Sequence, residues 1–122
     1  MADSIAPGQH LLIDFWGGET LTEAEIETAM RDAAKACGAT VLRVCLHGFG
    51  EGAGITGVAI LAESHISIHT WPELDYVALD VFVCGGCRAD AALDVLKHAF
   101  APRRHKVRSV ARGETVSTER VL

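Results

Sequence analysis

Basic residues are not in excess in this chain: 11 Lys and Arg stand against 16 Asp and Glu, a formal charge of −5. Without a broad cationic face there is no electrostatic basis for gripping a phosphate backbone, so a nucleic-acid partner is not expected. One basic cluster, Arg103, Arg104, His105, Lys106 and Arg108, is too local to change that. Long apolar runs are missing too, and none approaches the roughly 20 residues that cross a bilayer. Met1 to His10 lacks the basic start and apolar stretch of a signal peptide. These absences predict a cytoplasmic protein with no membrane partner. Proline is confined to Pro7, Pro72 and Pro102, and no Pro- or Ser-rich linker divides the 122 residues. With 49% of them apolar, residues 1–122 read as a single domain around one core. In a reducing compartment Cys37, Cys45, Cys84 and Cys87 read as core thiols, ligands or reactive groups rather than as disulfides.

What is present is periodic. His10 to Trp16 reads as a strand closed by Gly17-Gly18. Thr22-Glu23-Ala24-Glu25 has the form of a capping box, after which Ile26, Met30, Ala33 and Cys37 recur at helical spacing up to Gly38. Cys37 lies on that apolar stripe and reads as a core residue. Val41–His47, Thr56–Leu61, His65–Thr70 and Tyr76–Val83 have the β-branched content and alternation of strands. Ala89, Leu93, Leu96 and Phe100 mark a second helix ending near Pro102, and Lys106–Ala111 a last strand. The polar stretch after Gly113 reads as a loose tail. Two helices among six strands predict an α+β two-layer sandwich, with both helices on one face of a mostly antiparallel sheet. The opposite face then needs cover, and a second copy of the chain is the simplest cover.

Three motifs invite chemistry. Gly52-Ala53-Gly54-Ile55-Thr56-Gly57 matches the dinucleotide fingerprint, but the fingerprint requires a helix after the glycines, and Val58-Ala59-Ile60-Leu61 continues as a strand. Cys84-Gly85-Gly86-Cys87 falls between a strand and a helix, where a thioredoxin-like redox pair would sit, although the strand–helix order of that fold is not reproduced. Zinc would need two further ligands, and no second CxxC or helical His pair supplies them, so no metal is expected. The segment from Glu63-Ser64-His65 to His69-Thr70-Trp71-Pro72-Glu73 is the richest. As a plain strand it turns Ile66 and Ile68 inward and His65, Ser67 and His69 to the other side. A serine-hydrolase reading fails, since no G-x-S-x-G elbow is present.

That segment, followed by Phe82-Val83-Cys84-Gly85, closely resembles the bacterial and archaeal S-adenosylmethionine decarboxylase proenzymes. Weaker matches at Gly8-Gln9-His10, Cys37-Gly38-Ala39-Thr40 and His47-Gly48-Phe49 extend the resemblance up to about Pro102. It implies self-cleavage between Glu63 and Ser64 into chains 1–63 and 64–122, with Ser64 converted to a covalent pyruvoyl cofactor. A β-heteroatom that can attack the preceding carbonyl and then leave is what the conversion needs. The pyruvoyl carbonyl would form an imine with the substrate amine and accept the electrons released with CO₂. The resemblance implies further that His69 assists processing, that Cys84 reprotonates the product, and that Phe49 stacks on adenine. Glu73 would bind the ribose hydroxyls from the neighbouring subunit of a homodimer with shared active sites. The implied product is the aminopropyl donor for spermidine synthesis. A regular strand puts Ser64 and His69 on opposite faces, so a bulge or bend is needed if both serve one reaction.

Some positions depart from the family pattern: Gln9 where Arg is frequent, Ala62 where Ser is, and a glycine-rich Gly50–Gly54 loop where proline is usual. They leave the pyruvoyl chemistry intact but keep a basic amino acid, ornithine or arginine, open as the alternative substrate on the same scaffold.

Overall fold

A computed structural model describes residues 7–113, and the polar tail after Gly113 lies outside the described residues. Nine elements follow in order: β1 (Gly8–Trp16), α1 (Glu23–Cys37), β2 (Val41–Gly48), β3 (Ile55–Leu61), β4 (Ser64–Trp71), a 3-10 turn (Pro72–Leu74), β5 (Tyr76–Cys84), α2 (Ala89–Phe100) and β6 (Arg104–Arg112). The strands form one sheet in the order β2-β3-β4-β5-β1-β6. Every neighbouring pair is antiparallel.

Local chemistry explains the helix ends. The Glu25 N–H donates to Thr22 Oγ1 over 3.2 Å and the Thr22 N–H donates to Glu25 Oε1 over 2.9 Å, so the capping box satisfies two N–H groups that α1 would otherwise leave open. Gly38, at φ 89°, closes α1 in the left-handed conformation that glycine adopts without penalty. Helix α2 starts without a side-chain cap at Arg88 and stops at Ala101, just ahead of Pro102.

Alternation along the strands decides the layers. Leu11, Ile13 and Phe15 of β1, Ile66 and Ile68 of β4, and Leu79, Val81 and Val83 of β5 are buried beneath Ile26, Met30, Leu96 and Phe100 of the helices. This is the expected α+β sandwich. An Ile68→Ala substitution empties a fully buried site and is expected to cost about 2–5 kcal/mol of folding stability. Leu42→Ala, at a residue 65% exposed, is expected to stay within about 0.5 kcal/mol. Urea midpoints compared at equal slope check both.

Two glycines of the apparent nucleotide fingerprint, Gly54 and Gly57, have structural work instead. A Cβ on Gly54 would lie 2.3 Å from the Thr70 carbonyl oxygen, and one on Gly57 would lie 2.0 Å from the Leu46 side chain. Strand β3 starts at Ile55 and continues through Gly57, as the sequence predicts, so no helix follows the glycines in the chain.

Among the described residues, no helix lies over the second face of the sheet. By alternation it carries His10, Asp14, His65, Ser67, His69, Trp71, Tyr76, Asp80, Phe82 and Cys84, several of them polar and only partly buried.

Candidate active site

Two groups of reactive side chains lie at opposite ends of β4. The first is at the β3–β4 hairpin, where Leu61 pairs with Ser64 across the two-residue turn Ala62-Glu63. Glu63 has φ 66°, the left-handed region, which costs a residue with a Cβ about 1–2 kcal/mol. A non-glycine residue in that conformation directly before Ser64 is strain placed at one particular peptide bond. Ser64 Oγ donates to the Ala62 carbonyl over 3.3 Å, which keeps the hydroxyl against the backbone of the same turn.

Cys84 ends β5 on the neighbouring strand, and the pairing of His65 with Phe82 puts it at the same end of the sheet as Ser64. Its sulfur is 3.1 Å from that of Cys87. A hydrogen bond from the Cys87 thiol and another from the Gly86 N–H hold the Cys84 thiol below its ordinary pKa, partly opposed by burial and by the Glu63 carboxylate. Cys87, as the donor, is pushed up to about 11. The strand–turn–helix setting of this pair lies in an all-antiparallel sheet, not in the βαβ order of a thioredoxin-like protein.

The second group is at the far end. Phe49, Thr56, His69, Trp71 and Glu73 line an open cleft of about 460 Å³. Three of them, Phe49, His69 and Glu73, are the residues that the family resemblance singles out besides Ser64 and Cys84. Phe49 is 62% exposed, with its ring edge-on to His47, and the loop behind it is fastened by the Phe49 N–H to the Gly54 carbonyl at 3.0 Å. Glu73 sits in the 3-10 turn after β4, which Pro72 opens. His69 Nδ1 lies 3.2 Å from Thr56 Oγ1, its cross-strand partner on β3. Sequence reasoning left Thr56 out of the site.

Between the two ends runs a polar network. The His10 and His65 Nε2 atoms lie 2.6 and 2.9 Å from the same oxygen of Asp80, and Ser67 donates to the other oxygen. Burial pushes the Asp80 carboxyl up, but the hydrogen bonds from Ser67, His10 and His65 outweigh it and hold the carboxyl below its ordinary range. These ligand-type atoms lie within 4.8 Å of one another. Arg112 approaches His10 Nδ1 at 3.1 Å and can only donate, so the ring hydrogen belongs on Nε2, pointing at Asp80. That tautomer makes a hydrogen bond and offers a cation no lone pair.

Ser64 and His69 do not meet. Strand β4 pairs with β3 and β5 without interruption, and the sheet's register shift lies at Val41/Arg43 of β2. The bend that would let both residues serve one reaction inside one copy is therefore not there. Five residues of extended strand separate them by roughly 17 Å.

Comparison with known proteins gives the family. Residues 9–113 match the family model described as S-adenosylmethionine decarboxylase. The S-adenosylmethionine decarboxylase proenzyme of Thermomicrobium roseum is 42% identical over 111 residues, covering 89% of this chain and 96% of the relative. That of Methanococcus maripaludis is also 42% identical, over 110 residues, covering 87% and 89%. The crystal structure of the adenosylmethionine decarboxylase from Aquifex aeolicus superposes with a TM-score of 0.81 at 32% identity, over 96% of this chain and 98% of that one. The chain belongs to the S-adenosylmethionine decarboxylase family.

Proposed function

We propose that this chain is a self-processing S-adenosylmethionine decarboxylase that derives a pyruvoyl cofactor from Ser64 and completes its active sites across a homodimer. The observation that carries the reading is the division of the site. Ser64 and Cys84 lie at one end of the sheet, and Phe49, His69 and Glu73 at the other. An isologous dimer packed through the sheet face opposite the helices, with its two-fold axis running across the strands, sets one end of each copy against the other end of its partner. Each composite site then has a cleavage point and a proton donor from one copy, with a cleft and an imidazole from the other.

The turn at Glu63-Ser64 fits a group made in place. Its strained residue precedes the serine, and the serine hydroxyl already lies on the turn backbone. Attack of Ser64 Oγ on the Glu63 carbonyl moves the acyl group from nitrogen to oxygen. His69 of the other copy, held by Thr56, takes the proton from the Ser64 α-carbon as that oxygen departs with chain 1–63. The dehydroalanine left at position 64 tautomerises to an imine, water adds and the nitrogen leaves as ammonia; the resulting pyruvoyl carbonyl would be the electron sink that decarboxylation of an α-amino acid requires.

The other residues bind substrate and move one proton. Phe49 offers a ring face to adenine, and the Glu73 carboxylate accepts hydrogen bonds from ribose hydroxyls. Both contacts are remote from the reacting carbon and serve to place it. Cys84 returns a proton to that carbon after CO₂ leaves.

The test is CO₂ release from S-adenosylmethionine, ornithine and arginine side by side. Turnover of S-adenosylmethionine alone supports the reading; turnover of a basic amino acid with none of S-adenosylmethionine replaces the substrate. An aromatic–base stack is worth about 1–3 kcal/mol, so Phe49→Ala is expected to lower kcat/KM for S-adenosylmethionine by roughly ten- to a hundredfold. Processing of the Phe49→Ala chain, read by intact mass, is expected to proceed as in the wild type.

A further inference from the structure

Cys87 has no part in the decarboxylation proposed above, yet its position is specific. The turn Cys84-Gly85-Gly86-Cys87 is closed by the Cys87 N–H donating to the Cys84 carbonyl over 3.0 Å, and this folds the two side chains onto each other. Their sulfurs are 3.1 Å apart, and both residues are partly open to solvent. A disulfide needs about 2.05 Å, so rotation of the two side chains closes the gap without moving a strand or a helix. The other thiols are placed differently. Cys37 is buried and donates to the Ala34 carbonyl over 3.3 Å, and Cys45 lies on β2, at the edge of the sheet and three strands from β5.

We propose that Cys84 and Cys87 form a reversible disulfide with low-molecular-weight disulfides as oxidant, and that this switches the decarboxylase off by consuming the thiol that returns the proton. The second half of the proposal rests on the role given to Cys84 above; the first half does not.

The asymmetry of the pair gives each sulfur its part. Cys84, which receives hydrogen bonds from the Cys87 thiol and the Gly86 N–H, is the sulfur that ionises more readily and attacks. Its thiolate takes one sulfur of the oxidant, the oxidant's S–S bond breaks, and one small thiol leaves carrying the proton that Cys84 had lost. Cys87 then gives its proton to solvent and attacks the Cys84 sulfur, and the second small thiol leaves. One disulfide is reduced to two thiols while the two protein thiols are oxidised to one disulfide. The second step needs no search through the chain, because the resolving sulfur is already in contact with the first. Reduction by a dithiol runs the same steps backward.

The test uses the processed protein, reduced and then equilibrated with glutathione buffers of rising oxidised fraction. Chain mass, alkylation of each cysteine and CO₂ release are read at every ratio. The expected result is a species two hydrogens lighter, with Cys84 and Cys87 both closed to alkylation while Cys37 and Cys45 are unchanged. Turnover should fall in step by roughly a hundredfold or more, the contribution of a positioned general acid, and return with dithiothreitol. Cys87→Ser is expected to carry a glutathione adduct on Cys84 instead, and only at a more oxidising ratio. A wild type that shows the adduct and no internal bond, or that pairs Cys84 with Cys37, overturns the pair while leaving Cys84's role standing. An internal bond that forms without slowing CO₂ release overturns the switch, and with it the role of Cys84 in the reaction.

Discussion

Ser64→Ala is expected to leave one uncleaved chain of 122 residues that releases no CO₂, where the wild type separates into 1–63 and 64–122. The size of the effect follows from what alanine lacks. Without a β-oxygen there is no nucleophile to reach the Glu63 carbonyl and no leaving group to depart afterwards, so both the cleavage and the cofactor are lost. Ser64→Thr keeps the oxygen and is expected to cleave slowly. The strain at Glu63 is a smaller matter. A left-handed residue with a Cβ stores about 1–2 kcal/mol, so Glu63→Gly, which releases it, is expected to slow cleavage by no more than about thirtyfold. Intact mass at successive times after synthesis separates these cases. A Ser64→Ala chain that still splits between residues 63 and 64 would show that some other group performs the cleavage.

Much of the fold is legible in the residues because each local signal agrees with its neighbours. Thr22 to Glu25 and Gly38 mark both ends of α1, and the alternation through Ile66 and Ile68 assigns the faces of β4. Strand ends are read short by one or two residues, at Gly8 and Arg104 for example, because the pairing that extends them comes from β5 and β1 and leaves no periodic mark on the strand itself. The site is legible only in part. Ser64 and His69, in the segment Glu63–Glu73, and Cys84 after it are singled out by the family resemblance, as are Phe49 and Glu73. Thr56 carries no signal of its own. It becomes visible once the two-residue turn at Ala62-Glu63 fixes the pairing of Leu61 with Ser64, since counting back along both strands then places Thr56 opposite His69. The link from His10 to Asp80 spans 70 residues of sequence and depends on β1 inserting beside β5, a long-range pairing that no local pattern encodes.

Co-expression of two disabled chains tests the division of the site most severely. Cys84→Ala removes the proton donor at one end of the sheet face, and the double variant Phe49→Ala/Glu73→Ala strips the cleft at the other. Both keep Ser64 and His69, so both are expected to process. Alone, each makes dimers in which every composite site lacks one half. Loss of a general acid costs roughly 10²–10⁴-fold and loss of the stack alone ten- to a hundredfold, so the parent activities are low. In a mixed dimer one site draws Cys84 from the double variant and Phe49 and Glu73 from the Cys84→Ala chain, and is whole. The other site lacks Cys84, Phe49 and Glu73 together. Random pairing makes half the dimers mixed, and half of their sites work, so the co-expressed pool is expected to recover about a quarter of wild-type turnover. Mixed dimers isolated through two different affinity tags are expected to reach about a half. If each copy used only its own residues, the pool would show no more than the average of its parents, and mixed dimers recovered through both tags would be as inactive as the parents. That outcome would refute the shared site, and with it the reason for the separation of Ser64 from His69 along an unbroken β4.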